Sequence, residues 1–210
     1  MLLLSTSDTD LITARASGAN YRWANPSRLP MDDLAGLLAG ADVVVVRILG
    51  GYRAWQDGID AVLASGVPAV VVSGEQAPDA DLTERSTVPA GIAVQAHVYL
   101  AQGGTRNLAN LHSFLSDTVL MTGAGFEPPA SIPAWGELDR AAAAGDGPTV
   151  AVLYYRAQHL AGNTGYVGSG NLVTGGLSLG NATGPIVGVD GDAVQAVGEG
   201  GPNTSAEYRY

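Results

Sequence analysis

The chain has 210 residues and a formal net charge of −10, which disfavours nucleic acid and acidic membrane surfaces as partners. It contains no cysteine and no lysine, which excludes disulfides, thiolate metal sites, a Walker A lysine and a Schiff-base lysine. The hydrophobic fraction of 46% is enough for one sizeable core. No targeting segment or membrane-length apolar stretch is visible, so the sequence predicts a cytoplasmic protein.

The first half of the chain predicts alternating strands and helices. The apolar, β-branched run 43–46 is typical of a strand buried on both faces, as in a parallel sheet. With the helical spacing from Trp55 to Leu63, the stop at Gly66 and the next apolar run, it makes one right-handed crossover unit. In chain order, strands are predicted at 2–4, 19–23, 43–46 and 67–72, and helices at 11–16, 31–39 and 55–63.

The second half predicts two further helices, at 93–100 and 107–119, after a polar loop at 76–84 that has at most one helical turn. We therefore predict an α/β fold: a mostly parallel sheet of four or five strands with helices on both faces, in the three layers of flavodoxin-like and Rossmann-like domains. The predicted division is an N-terminal domain at 1–125, a linker at 126–147, an incomplete second α/β unit at 148–167 opening with a strand at 149–155, and a glycine-rich, disordered tail at 168–210.

Two charged residues follow neighbouring strands of the predicted sheet. Arg47 comes directly after one buried run and Glu75 after the next. A buried charge is costly unless it is paired or faces a cleft, and open parallel sheets bind ligands at the carboxyl ends of their strands. We expect Arg47 and Glu75 to lie side by side there, either as a structural ion pair, which the sequence favours, or as part of a substrate-binding site.

A hydroxyl-rich loop, residues 5–10, follows the first strand. In flavodoxin-like sheets such a loop binds phosphate at a helix N-terminus. Here Asp8 and Asp10 would repel an anion, so the sequence favours helix capping by Thr9 or Asp10 and loop hydrogen bonding instead.

The three histidines, His97, His112 and His159, lie far apart, and none has a second histidine at metal-ligand spacing, so no metal site is predicted. His112 shares a helix face with leucines, which favours a structural role. His159 lies after a predicted strand, with Arg156 and Asn163 nearby. These three polar residues form either part of a substrate-binding site or a structural loop.

Six stretches of the chain, in order, resemble the large-subunit family of aerobic cobaltochelatase (CobN), within the wider family of the magnesium chelatase H subunit. They are LLLSTSDTDL (2–11), NYRWANPSRLP (20–30), VVRILGGYRAW (45–55), SGEQAPDADLTERSTVPAG (73–91), NLANLHSFLSDTVLMTG (107–123) and PTVAVLYYRAQHLAGNTGYV (148–167). No family pattern continues beyond residue 167, where a frameshift near codon 168 or a fusion to an unrelated tail explains the change.

The resemblance implies an ATP-dependent complex, a ligase forming nitrogen–metal bonds. It inserts cobalt into the corrin-ring precursor hydrogenobyrinic acid a,c-diamide during cobalamin biosynthesis. In that family the large subunit holds the tetrapyrrole and the metal, and partner AAA+ subunits hydrolyse ATP. The resemblance covers only the N-terminal part of the subunit, so we expect this chain to be inactive alone. The alternatives are a non-catalytic module that binds a tetrapyrrole or a partner, and an inactive truncated product.

Overall fold

A computed structural model describes residues 1–133 and 156–161. The chain divides into two compact units, Met1–Ile132 and Pro133–Tyr210. In the second unit the described residues are Pro133 and 156–161, which include one short helix, Arg156–Leu160 (α7). The predicted strand at 149–155, Asn163 and the glycine-rich stretch at 168–210 lie outside the described residues.

The first unit contains a parallel sheet of four described strands in the spatial order β2-β1-β3-β4. The chain runs from β1 outward to β2 and then returns to the other side of β1. The direction of winding therefore reverses between β1 and β3, which makes that pair the topological switch point. The strands are β1 (Leu2–Ser5), β2 (Arg22–Ala24), β3 (Val44–Ile48) and β4 (Ala69–Ser73).

Helices cover both faces of this sheet, so the predicted three-layer α/β fold is confirmed. One face packs against α1 (Asp8–Ala16), α5 (Ala90–Gln102) and α6 (Thr105–Val119). The other face packs against α2 (Met31–Leu38), α3 (Gln56–Ala64) and α4 (Ala80–Glu84). Two single 3₁₀ turns, Pro26–Arg28 and Tyr52–Trp55, precede α2 and α3.

The continuous apolar runs of β1, β3 and β4 follow from this layering. Successive strand side chains point to opposite faces. Leu3 and Val45 therefore belong to the core under α1, α5 and α6, whereas Leu4 and Val46 belong to the core against α2, α3 and α4. Every residue of these strands faces a helix, and none can be polar without a specific partner.

The outer edge of β4 is covered by two hydroxyl side chains. Thr87 accepts a hydrogen bond from the Ala69 amide at 2.7 Å and returns its own amide to the Ala69 carbonyl at 2.9 Å. Ser86 accepts from the Val71 amide at 2.9 Å and donates to the Val71 carbonyl at 3.3 Å. These bonds occupy groups that would otherwise pair with the strand of another chain.

Three helices begin earlier than predicted: α1 at Asp8 and α5 at Ala90, each by three residues, and α6 at Thr105, by two. The N-cap of α1 is Ser7, without a side-chain capping bond, and the predicted cap Asp10 lies in the first turn and binds Arg47. The polar stretch 76–84 includes the short helix α4, whose N-cap Asp79 accepts from the Leu82 amide at 3.1 Å. Among the described residues, no helix is both long enough and apolar enough to cross a bilayer.

Candidate functional site at the carboxyl edge of the sheet

Arg47 lies at the topological switch point, paired in register with Ser5 on one side and Val72 on the other. It is only 6% exposed. Its Nη1 donates to both carboxylate oxygens of Asp10, at 2.8 and 2.9 Å. Its Nε donates to the Ser73 carbonyl at 3.3 Å and its Nη2 to the Gly74 carbonyl at 3.1 Å. The guanidinium thus connects α1 with the end of β4.

Asp10 is equally buried and completes this network from the first turn of α1. Besides Arg47 it accepts a hydrogen bond from the Ser5 hydroxyl at 2.6 Å. The Ser5 oxygen in turn accepts the Ser7 amide at 3.1 Å, which holds the turn that leads into α1. A buried carboxylate that accepts hydrogen bonds from one arginine nitrogen to both of its oxygens, and one more from a hydroxyl, is compensated in both charge and hydrogen bonding.

His97, on α5, holds the loop that follows β4. Its Nε2 lies 3.1 Å from the Glu75 carbonyl, and since a carbonyl only accepts, this nitrogen carries the proton. Burial lowers the pKa of His97 by more than the hydrogen bond to the Glu75 carbonyl raises it. The nearby positive charge of Arg47 lowers the pKa further. The ring is therefore neutral at pH 7. One residue on, the Gln76 side chain donates to the Ala101 carbonyl at 3.0 Å.

The predicted pair of Arg47 and Glu75 is wrong in its partner. Arg47 does form a buried ion pair, but with Asp10. Arg47 and Ser5 share a face of the sheet, so the first turn of α1 comes over the guanidinium, whereas the Glu75 side chain is exposed beyond the end of β4. The sequence signal that was missed is Asp10 itself, an acidic residue five positions after the Ser5 that ends β1.

The loop at 5–10 makes internal bonds in place of a phosphate site. The Ser5 hydroxyl and the Arg47 guanidinium, the two groups best suited to an anion, are both taken by Asp10. At the surface, Asp8 accepts from Asn25 at 2.9 Å and pairs with Arg28. The geometry favours the interpretation as loop hydrogen bonding.

A polar cavity of about 550 Å³ lies beyond the end of β3. The Arg85 guanidinium stacks on the Tyr52 ring at 3.5 Å, and the Tyr52 hydroxyl donates to Asp60 at 2.7 and 2.9 Å. The sequence analysis did not predict this contact, because Tyr52 and Arg85 are distant along the chain and no spacing rule links them. The cavity is lined by Gly50, Gly51, Tyr52, Arg53, Gln56, Asp79, Asp81 and Arg85.

The other predicted site residues lie in the second unit. Arg156 and His159 are three positions apart on α7 and therefore share a helix face. Arg156 Nε donates to the Pro133 carbonyl at 3.1 Å. Asn163 lies outside the described residues. In the described part of the chain, no group of three His, Cys, Asp or Glu residues is placed to hold a metal ion.

His112 has the structural surroundings that the sequence favoured. It is half-buried on α6, with its ring edge-on to Tyr21 at 5.2 Å. Burial lowers its pKa. The buried Tyr21 hydroxyl donates to the Leu108 carbonyl at 2.8 Å, and burial raises the pKa of Tyr21.

Comparison with known proteins gives two relatives, while no protein-family model matches. The chain is 28% identical over 193 residues to the aerobic cobaltochelatase subunit CobN of Pseudomonas aeruginosa, covering 80% of this chain and 16% of that protein. It is 72% identical to the catalytic subunit of cobaltochelatase from Mycobacterium tuberculosis, with a TM-score of 0.74 over 79% of this chain and 14% of that one. The chain therefore spans only a small part of each relative. The resemblance drawn from the sequence is confirmed: the chain is similar to a fragment of the cobaltochelatase large subunit.

Proposed function

We propose that this chain is a segment of a cobaltochelatase large subunit and acts in the insertion of cobalt into hydrogenobyrinic acid a,c-diamide in aerobic cobalamin biosynthesis. The observation that carries the proposal is the 72% identity, with a TM-score of 0.74, to a cobaltochelatase catalytic subunit. The reaction is ATP-dependent, and AAA+ partner subunits hydrolyse the ATP. That division of labour agrees with a chain without a lysine for a Walker A motif.

Within that subunit, the first unit acts as scaffold. Its switch-point crevice, where such sheets usually bind ligands, contains the Asp10–Arg47 pair. We assign Arg47 a structural role in place of the predicted contact with substrate. Contacts with the corrin precursor remain proposed for Glu75, whose side chain is exposed, and for Arg156, His159 and Asn163.

A chimera tests the proposal. Residues 1–132 of this chain replace the matching segment of the M. tuberculosis catalytic subunit, and cobalt insertion is measured with AAA+ subunits, ATP and the corrin precursor. We expect activity within a few fold of the parent. The matched control carries the corresponding P. aeruginosa segment, which has diverged much further. A folded, assembled chimera without activity would show that residues 1–132 of this chain cannot replace the matching segment, which would contradict the proposal.

Activity and absorbance measurements on the 210-residue chain alone distinguish a role as part of a subunit from a role as a separate binding module. We expect no cobalt insertion by the chain with ATP in the absence of partners, and no change in the absorbance spectrum of the corrin precursor on titration. A saturable spectral shift would favour a tetrapyrrole-binding module. Loss of that shift in Glu75→Gln, Arg156→Gln or His159→Gln would then show which residues contact the pigment.

A further inference from the structure

The last part of the first unit, residues 126–132, lies extended on α5 and α6 and is held mainly through its backbone. Asn107 accepts the Ala130 amide and donates to the Ala130 carbonyl, both at 2.8 Å. Asn110 accepts the Glu127 amide at 3.0 Å, and Gln102 accepts the Ile132 amide at 2.9 Å. The Tyr99 hydroxyl donates to the Glu127 carbonyl.

The prolines of this segment fit the same pattern. The amides that donate belong to residues 127, 130 and 132, and the prolines occupy 128, 129 and 133, where no donor is used. Proline restricts the chain to extended conformations and lowers the entropy lost on binding. The segment thus has the features of a proline-containing peptide bound in an extended state.

The helix surface is built to receive such a peptide. Asn107 is only 1% exposed, and its remaining amide hydrogen bonds the Gly103 carbonyl at 2.7 Å, so its side chain is fixed in place. Phe126 packs edge-on against Phe114, with ring centroids 5.0 Å apart. Arg106 pairs with the Glu127 carboxylate. An acidic residue after an aromatic one is therefore recognised at one end, and backbone groups are recognised along the rest.

We propose that the groove formed by Tyr99, Gln102, Arg106, Asn107 and Asn110 is a peptide-binding site, occupied in cis by residues 126–132 and able to exchange them for the same extended segment supplied in trans. The partner that fits is an aromatic–acidic–Pro–Pro sequence. No residue of the segment belongs to either hydrophobic core cluster, so its release leaves the packing of the helices on the sheet in place. The segment can leave while the rest of the unit stays folded.

The test uses the whole chain and a synthetic peptide of residues 125–133. The tethered segment competes at an effective concentration of the order of millimolar, so the peptide is added at several times that amount. We expect faster hydrogen exchange at the amides of Glu127, Ala130 and Ile132, with no change at the amides of β1 and β3. A peptide N-methylated at Ala130 cannot donate to Asn107 and should have no effect.

A variant of the tethered segment measures the competition directly. Ala130→Pro in the chain removes the amide that donates to Asn107 from the tethered segment alone, so the unchanged fluorescent peptide should bind about three- to tenfold more tightly, as expected for one hydrogen bond, while Gln95→Ala on α5 should leave its affinity unchanged. Circular dichroism shows that each variant is folded. The segment is an integral part of the fold, and the proposal is wrong, if the peptide leaves hydrogen exchange at the three amides unchanged. The same holds if those amides exchange only when the core amides do, through unfolding of the whole unit.

Discussion

Removing the positive charge of Arg47 is the sharpest test of the scaffold described above. In Arg47→Met, Asp10 stays buried with only the Ser5 hydroxyl as donor, and the Ser73 and Gly74 carbonyls lose theirs. Breaking a buried pair by removing one partner costs about 3–5 kcal/mol. In a domain of this size each kcal/mol lowers Tm by about 2–4 °C, so we expect a loss of roughly 6–20 °C, followed by far-UV circular dichroism.

Two matched variants separate the buried charge from lost packing. The double variant Asp10→Leu, Arg47→Met removes both charges and should recover most of the loss, since replacing a whole buried pair is often neutral. Arg28→Met breaks the exposed pair with Asp8, where both side chains are more than half exposed, and should change Tm little. If the Tm of Arg47→Met is no lower than that of Arg28→Met, the Asp10–Arg47 pair does not stabilise the carboxyl edge of the sheet.

Three further predictions concern stability and self-association. Burial lowers the pKa of His97 below its ordinary 6.5, so just below that pH the unfolded state binds more protons than the folded state. The free energy of unfolding should therefore fall as the pH drops through 6.5. Denaturation between pH 5 and 7.5 should show this slope, and His97→Gln should flatten it. Gly74→Ala places a Cβ 2.8 Å from the Leu49 backbone nitrogen and should cost about 1–3 kcal/mol, whereas Gly36→Ala, with open space on α2, should stabilise by up to 1 kcal/mol; urea denaturation gives both signs. The double variant Ser86→Ala, Thr87→Val uncovers the edge of β4 and should increase light scattering with concentration; unchanged scattering would show that the hydroxyls are not needed there.

The sequence predicted the layering of the first unit because the continuous β-branched runs of β3 and β4 have the length and composition typical of strands buried on both faces. Helix ends were predicted less well where a side chain suited to capping its own helix instead binds a residue of another element. Asp10 is the example: its position suits a cap, but its carboxylate binds Arg47 from another strand. No local pattern encodes which partner a crossover will bring near.

The site itself could be predicted only in outline. The rule that polar groups gather at the carboxyl ends of parallel strands correctly brought Arg47 and the loop of Glu75 to one place. It failed on the pairing, because Glu75 lies two residues past the end of β4 and its side chain faces solvent. The contacts of Tyr52 with Arg85 and of Asn107 with Ala130 depend on loop paths that composition does not determine.

Glu75 has an anchored backbone and a side chain that is free of the scaffold. Its amide donates to the Ser73 hydroxyl at 3.0 Å and its carbonyl accepts from His97, while the carboxylate makes no ion pair among the described residues. An exposed charge on a fixed loop contributes little to folding but is well placed to meet another molecule. In the chimeric subunit, Glu75→Gln should therefore leave Tm unchanged and lower cobalt insertion, whereas Arg47→Met should lower both. Full activity in Glu75→Gln would instead leave the carboxyl edge of this sheet with a purely structural role.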